Sequence, residues 1–191
     1  MRIPNEEFLQ KPLHVHSFLT DVALHDVWVF HLRGGVGRTL RDFRQLLSEE
    51  NMQQINPVVK ALFKMRSALG RLFRWDDKPS KTPPASYIHR LTAEDRDTSL
   101  TKPGTVSIGP FHRIYEFEME ALDETINATV HAFSLMAMES TSGGYMVYWA
   151  IYVKNTSTLT PVYMALINPF RRFIVYPAII NKVQKAWSLS Q

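Results

Sequence analysis

The residues with chemistry to offer are a glycine-rich loop, a row of glutamates, scattered histidines and one misplaced arginine. Gly34-Gly35-Val36-Gly37-Arg38-Thr39 stands between an apolar run and an amphipathic one, where a phosphate loop would sit. The spacing fails. A phosphate loop needs glycine five residues before Gly37, where Leu32 stands, and lysine where Arg38 stands. The dinucleotide pattern needs a third glycine at Leu40. The segment reads as a plain tight turn. His14 and His16 share a face of an extended segment without a third ligand nearby, so no metal is expected. His131 reads as a satisfied wall histidine rather than a base. Glu116, Glu118 and Glu120 share one strand face and read as solvated rather than as a carboxylate dyad. Spacing reveals no Ser-His-Asp grouping. No cofactor is expected, and nothing gives a positive sign of an enzyme.

Composition narrows the field further. The chain has 191 residues, 45% hydrophobic, with no cysteine and a formal charge of +4. Zero cysteine excludes a disulfide scaffold, a thiol nucleophile and cysteine-ligated metal. The apolar fraction is too high for a disordered chain. The length suits one domain, 1–191, with 1–21 as an irregular lead-in. Neither a signal peptide nor a membrane-spanning run is read, so the expected location is the cytoplasm.

A helix predicted from Asn56-Pro57 to about Trp75 carries the most informative polar residues. On a wheel of ~100° per residue, Lys60, Lys64, Arg71 and Arg74 share a narrow sector. Val58, Leu62, Met65, Leu69 and Phe73 lie opposite. The basic stripe reads as a solvated face, with weak contact to a membrane surface as the sharper alternative. No specific nucleic acid is expected. Arg66 falls among the apolar residues, and arginine is seldom buried unless paired. It pairs with a protein carboxylate, meets an anionic ligand group, or extends its head to solvent.

The elements that must position these residues follow from periodicity. Residues 22–32 read as a strand and Thr39–Glu50 as a short helix. After the second helix come short strands at Tyr87–Leu91 and Thr105–Ile108, with a polar loop at Thr92–Lys102 between them. Phe111–Ala121 reads as a strand, Asp123-Glu124 as a hairpin turn, and Thr125–Glu139 as a long strand. Tyr145–Asn155 is a further strand. Ser157–Trp187 closes the chain as a long helix that Pro169 and Pro177 must kink or divide. Its apolar arc includes Tyr163, Leu166, Phe170, Phe173, Ile174, Ile180 and Trp187, with Arg171 and Lys182 opposite. Strands cluster rather than alternate with helices, which is an α+β pattern. The last two strands are apolar on both faces, which suits one packed surface and one facing a cavity or a partner.

Two segments carry a family likeness. Pro57-Val58-Val59-Lys60-Ala61-Leu62-Phe63-Lys64-Met65-Arg66, with Leu69 and Leu72-Phe73 after it, resembles the signature helix of the bacterial "domain of unknown function 2867" family. So does Leu166-Ile167-Asn168-Pro169-Phe170-Arg171-Arg172-Phe173-Ile174-Val175. Gly109-Pro110-Phe111 and Leu122-Asp123-Glu124 fit as well. The likeness spans roughly 20–187. It implies the helix-grip fold of START-like proteins: a curved antiparallel sheet around a long C-terminal helix, with two shorter helices after the first strand. It implies no established activity. The family's polar segment after the acidic turn is not kept, since Thr125-Ile126-Asn127-Ala128 stands there.

The expectation is a helix-grip domain binding a small hydrophobic or amphipathic molecule between sheet and terminal helix. Phe63, Arg66, His131, Phe133, Tyr148, Trp149 and Phe170 are expected near it. The competing readings are a homodimerising or interaction module and a cavity enzyme of unknown reaction.

Overall fold

The computed structural model describes residues 1–47, 85–108, 110–126, 130–155, 165 and 168–189. The expected helix at 56–75, with Phe63 and Arg66, lies outside them.

Six strands form one curved antiparallel sheet in the order β1-β2-β6-β5-β4-β3. They are β1 (Arg2–Ile3), β2 (Ala23–Arg33), β3 (His112–Glu116), β4 (Glu120–Ile126), β5 (His131–Thr141) and β6 (Gly144–Lys154). The long strands are β2, β5 and β6; β2 and β6 are rich in aromatic and β-branched residues that suit a pleated surface, whereas β5 fills its faces with Phe133, Leu135, Met136 and Met138. Both faces of this sheet are covered. On one face Trp28, Phe30, Leu32, Met136, Met138, Val147 and Ile151 pack against helix α3 (Leu40–Leu46) and the terminal helix α5 (Tyr176–Leu189). On the other, Val27, Val29, Phe133, Leu135, Tyr148 and Tyr152 form a second core. A period of two sends alternate residues to opposite faces, so two apolar covers explain why these strands do not alternate cleanly.

The second cover corrects the expectation of an irregular lead-in. Residues 1–22 contain β1, α1 (Asn5–Leu9) and α2 (Val15–Phe18), and they bury Phe8, Val15, Phe18, Leu19 and Val22 against the sheet. Glu120 anchors them. Its carboxylate accepts the backbone N–H groups of His14 and Val15, both at 2.9 Å, and the Tyr115 hydroxyl at 2.5 Å. Orphan amides at a helix start need such an acceptor. Three further expectations change between residues 85 and 108. Tyr87–Arg90 is a 3-10 turn rather than a strand, because Ser86 caps it by accepting from the Ile88 amide. The polar stretch after it holds helix α4 (Ala93–Thr98), started by a reciprocal Thr92–Asp95 capping box. Val106 makes only an isolated bridge to His112.

The acidic residues of β3 and β4 move furthest from expectation. The reversal falls at residues 117–119, and Phe117 donates its amide to the Glu120 carbonyl at 2.7 Å. Asp123 and Glu124 are therefore mid-strand and buried, not in a turn. Glu116 and Glu120 are buried as well, whereas Glu118 is exposed. Charge alone favoured solvent for all of them; the partners described below reverse that.

The glycine loop is a turn that seats the terminal helix. Gly34, Gly35 and Gly37 have positive φ of 65°, 77° and 84°, a region glycine enters at no steric cost. A Cβ on Gly35 would stand 2.7 Å from the Trp187 ring. Arg38 then stacks over that ring at 4.5 Å. Trp187 itself is fully buried.

The prolines reshape the terminal helix. Pro177 has no N–H to offer the carbonyl four residues back. Just before it, Arg171–Val175 winds as a π-helix, with the Tyr176 amide reaching the Arg171 carbonyl. The added residue rotates the wheel by ~100°. The arc thus fails to continue: Tyr176, Ile179, Ile180, Val183 and Trp187 are buried, while Phe170 is 36% and Phe173 72% exposed. Tyr163 and Leu166 lie outside the described residues.

Candidate functional site

The side of the sheet that faces α5 carries a polar row across an apolar floor. Pairing aligns Asp26 with Ile151, Ile151 with Ser134, and Ser134 with Asp123. Asp26 and Asp123 are three strands apart, roughly 14 Å at 4.7–4.9 Å per strand. The neighbouring row is Trp28, Trp149, Met136 and Ala121.

At the β4 end, Asp123 joins three elements. Arg44 of α3 reaches it at 2.8 Å, Arg113 of β3 at 2.5 Å and Ser107 at 2.8 Å. Arg113 also donates to Glu116, which accepts from Thr101 as well. All four charged groups are buried, two of each sign, which is how charge survives away from water. Burial alone would raise the Glu116 carboxyl; the Thr101 hydrogen bond and the arginine charges outweigh it and hold the group below its ordinary range. Burial lowers the Arg44 guanidinium, against the pull of Asp123. Arg44 Nη1 is buried without a hydrogen-bond partner.

At the β2 end, a bulge between Leu24 and Asp26 re-aims the strand. Asp26 lies 3.6 Å from Arg171, an ion pair too long to be a hydrogen bond. Arg171 donates instead to the Tyr176 hydroxyl, and burial pushes that phenol well above its ordinary range. Tyr176 packs between two indoles, 4.7 Å from the Trp28 ring and 5.0 Å from Trp149. Trp149 Nε1 donates to Ser134 at 2.8 Å. Trp28 Nε1 and Asp26 Oδ1 are buried with no hydrogen-bond partner.

Between this end of the sheet and the residues that lead into the terminal helix runs an open cleft of about 370 Å³. Ala23, Leu24, His25, Val153, Asn155, Ala165 and Asn168 line it. His25 Nε2 and Asn168 Oδ1 meet across it at 3.1 Å. Deeper in, Ala132, Trp149, Ile174, Val175 and Ala178 pack on the helix-facing core yet stay partly exposed. Ala132 and Trp149 belong to the two central strands, where a fully covered face would be dry.

The structure divides the expected site residues. Trp149 faces α5 and joins the floor of the cleft side. His131, Phe133 and Tyr148 lie on the opposite face, under the N-terminal segment and Tyr87. They cannot line a space between sheet and terminal helix, because odd positions of β5 and even positions of β6 point away from it. Phe170 is on the terminal helix but partly exposed. His131 Nε2 bonds Glu124 at 3.0 Å, and Ser86 donates to the other oxygen of that carboxylate. The carboxylate stands between serine and histidine, so the serine lacks the base a triad requires. Burial would raise Glu124, but bonds from His131, Ser86 and the Tyr87 amide hold it below its ordinary range.

Asp26, Trp28, Arg44, Arg113 and Asp123 were not anticipated. The available signal is the absence of Gly, Asn or Pro within two residues of Asp123-Glu124, which argues against a turn there. Among the described residues no group of three or more His, Asp or Glu could hold a metal. None of their helices is long and apolar enough to cross a membrane.

The model of the family described as "Protein of unknown function (DUF2867)" matches residues 18–178, most of the chain, and the chain belongs to that family. No curated protein and no solved structure matches it.

Proposed function

We propose that this DUF2867 member is a helix-grip protein of the START-like kind that binds a small amphipathic molecule between its sheet and terminal helix. One observation carries the reading: the 370 Å³ cleft draws its lining from the sheet and from Ala165 and Asn168, which lead into the terminal helix. Ligand sites fall in the range of about 300–1,000 Å³ and combine apolar walls with a few polar groups. Here the walls are Leu24, Val153 and Ala165, and the polar groups are His25, Asn155 and Asn168. Burial of a ligand's apolar surface supplies about 25 cal/mol per Å². The six-strand antiparallel sheet with a helix on one face supports the helix-grip reading. The alternative, an interaction or homodimerising module, draws on the exposed Phe173.

Native mass spectrometry of the purified protein, with titration of 8-anilinonaphthalene-1-sulfonate, tests the reading. A co-purifying lipid-like mass is expected, as is probe binding that Ala23→Trp removes by filling the cleft. Probe binding unchanged in that variant, or no bound mass and no probe binding in the wild type, would sink it.

A further inference from the structure

Two buried polar atoms lie on the strand that lines the cleft, just beyond its lining residues, with their hydrogen-bonding capacity unmet. Asp26 is 5% exposed and its Oδ1 accepts nothing; Trp28 is 6% exposed and its Nε1 donates to nothing. They sit two residues apart on one strand, so both face α5. Ile151, the strand partner of Asp26, is two positions along β6 from Val153, which lines the cleft. That places Asp26 about 7 Å inward of the lining, from a rise of 3.2–3.4 Å per residue. Both groups adjoin Tyr176: the Trp28 ring packs on it, and the Asp26 charge acts on its phenol.

Leaving such atoms unpaired is costly, roughly 1–3 kcal/mol each and more for a charged group. Their neighbours show that pairing is available on this face. Trp149, opposite Trp28, gives its indole N–H to Ser134. The Tyr176 hydroxyl is engaged by Arg171. At this end of the face Asp26 Oδ1 and Trp28 Nε1 are left without a hydrogen bond, one an acceptor and one a donor.

We infer that Asp26 and Trp28 form the polar end of the ligand site and recognise a hydroxyl group on an otherwise apolar molecule. The inference rests on the cleft being a ligand site. A hydroxyl donates one hydrogen bond and accepts others, so it satisfies the Asp26 carboxylate and the Trp28 N–H together. A carboxylate only accepts, so it leaves Asp26 Oδ1 without a donor and competes with Asp26 for the Arg171 charge 3.6 Å away. An ammonium only donates, and would leave the Trp28 N–H unmet. The apolar remainder lies over Trp149 and Ile151 toward Val153 and the cleft.

The experiment compares three probes with one alkyl chain and different heads: octanol, octanoate and octylammonium at neutral pH. Binding to the full chain is measured by calorimetry for the wild type, Asp26→Asn and Trp28→Phe. A hydrogen bond to a charged group is worth about 1.5–3 kcal/mol, so the wild type should favour octanol over octanoate by about tenfold or more. Asp26→Asn should shrink that preference to about threefold or less. Trp28→Phe should weaken octanol about fivefold while octylammonium changes little. If all three probes bind the wild type equally, the hydroxyl assignment is overturned and the cleft reading stands. The same holds if octanol is preferred but neither substitution alters the ratio. If none binds, the cleft reading fails and takes this one with it. The wild-type ratio decides the matter even where a variant does not fold.

Discussion

Asp123→Asn should be among the most damaging single-atom changes in this chain. Asp123 is 3% exposed and receives hydrogen bonds from Arg44, Arg113 and Ser107. Removing its charge leaves two buried guanidinium groups with only Glu116 to oppose them. Breaking a buried pair by removing one partner costs about 3–5 kcal/mol, because the other charge is left uncompensated. That is a large part of the 5–15 kcal/mol that typically holds a domain together. For a chain of this size each kcal/mol moves the melting temperature about 2–4 °C, so a fall of roughly 6–20 °C is expected. The control is Asp21→Asn. Asp21 also bonds two cations, Arg90 at 2.6 Å and Lys154 at 2.9 Å, but its side chain is 41% exposed. Those charges lower its carboxyl strongly, yet water screens them, and exposed pairs contribute about 0–1 kcal/mol. Thermal and urea melts of both variants decide the matter. The double variant Asp123→Leu with Arg44→Met should recover part of the loss, since it removes a charge of each sign. Equal, small losses for Asp123→Asn and Asp21→Asn would refute the reasoning, because they would mean that water reaches the β4 cluster.

Phe8→Ala should cost about 3–5 kcal/mol, since Phe8 is fully buried by the N-terminal cover; a melt shifted by no more than an exposed control would show that residues 1–22 are dispensable. Stability should also fall on acidification. Glu116 and Glu124 are both held below their ordinary range in the folded chain, so their contribution is complete above about pH 5 and is lost as pH falls through their folded values. Melts from pH 7 to 3 should show the decline, and Glu124→Gln should start lower and decline less. Parallel curves for variant and wild type would contradict that assignment.

β2, β6, the short helix from Thr39 and the tight glycine turn are legible in the sequence, because apolar parity, helical periodicity and glycine are local signals. The expected strand Thr125–Glu139 instead joins the end of β4 to β5, two antiparallel strands that share apolar parity. The acidic residues were misread for a physical reason. Burial of a charge depends on partners that are remote in sequence: Asp123 meets Arg44 from 79 positions away, and Glu120 meets Val15 from 105. No local pattern carries that. The N-terminal segment was missed likewise. Its helices of five and four residues are too short for periodicity, and only the second apolar face of β5 and β6 hinted that something must cover it. That hint was taken for a cavity wall, which is why His131, Phe133 and Tyr148 were grouped with Trp149. The terminal helix shows a different failure. A wheel assumes constant pitch, and the π-turn before Pro177 breaks that assumption between Phe173 and Tyr176.

Residues 1–22 cover one face of the sheet, so the proposed ligand site belongs to the other. Tyr148, Phe133 and His131 are sealed on the covered face, none more than 2% exposed. The α5 face instead keeps apolar residues of central strands partly open, and beside the cleft it holds Asp26 Oδ1 and Trp28 Nε1 without hydrogen bonds. Asp26 pairs with Arg171 only at 3.6 Å and its Oδ1 has no hydrogen bond, so its burial carries a cost that an apolar residue would not. The register strengthens the point. Asp26, Ser134 and Asp123 lie on one row, so a slip of one residue in any strand would send its polar group to the sealed face. Ser134 is occupied by Trp149 and Asp123 by two arginines. Asp26 is the member of the row whose nearest cation stands beyond hydrogen-bond reach, and it is the one beside the cleft.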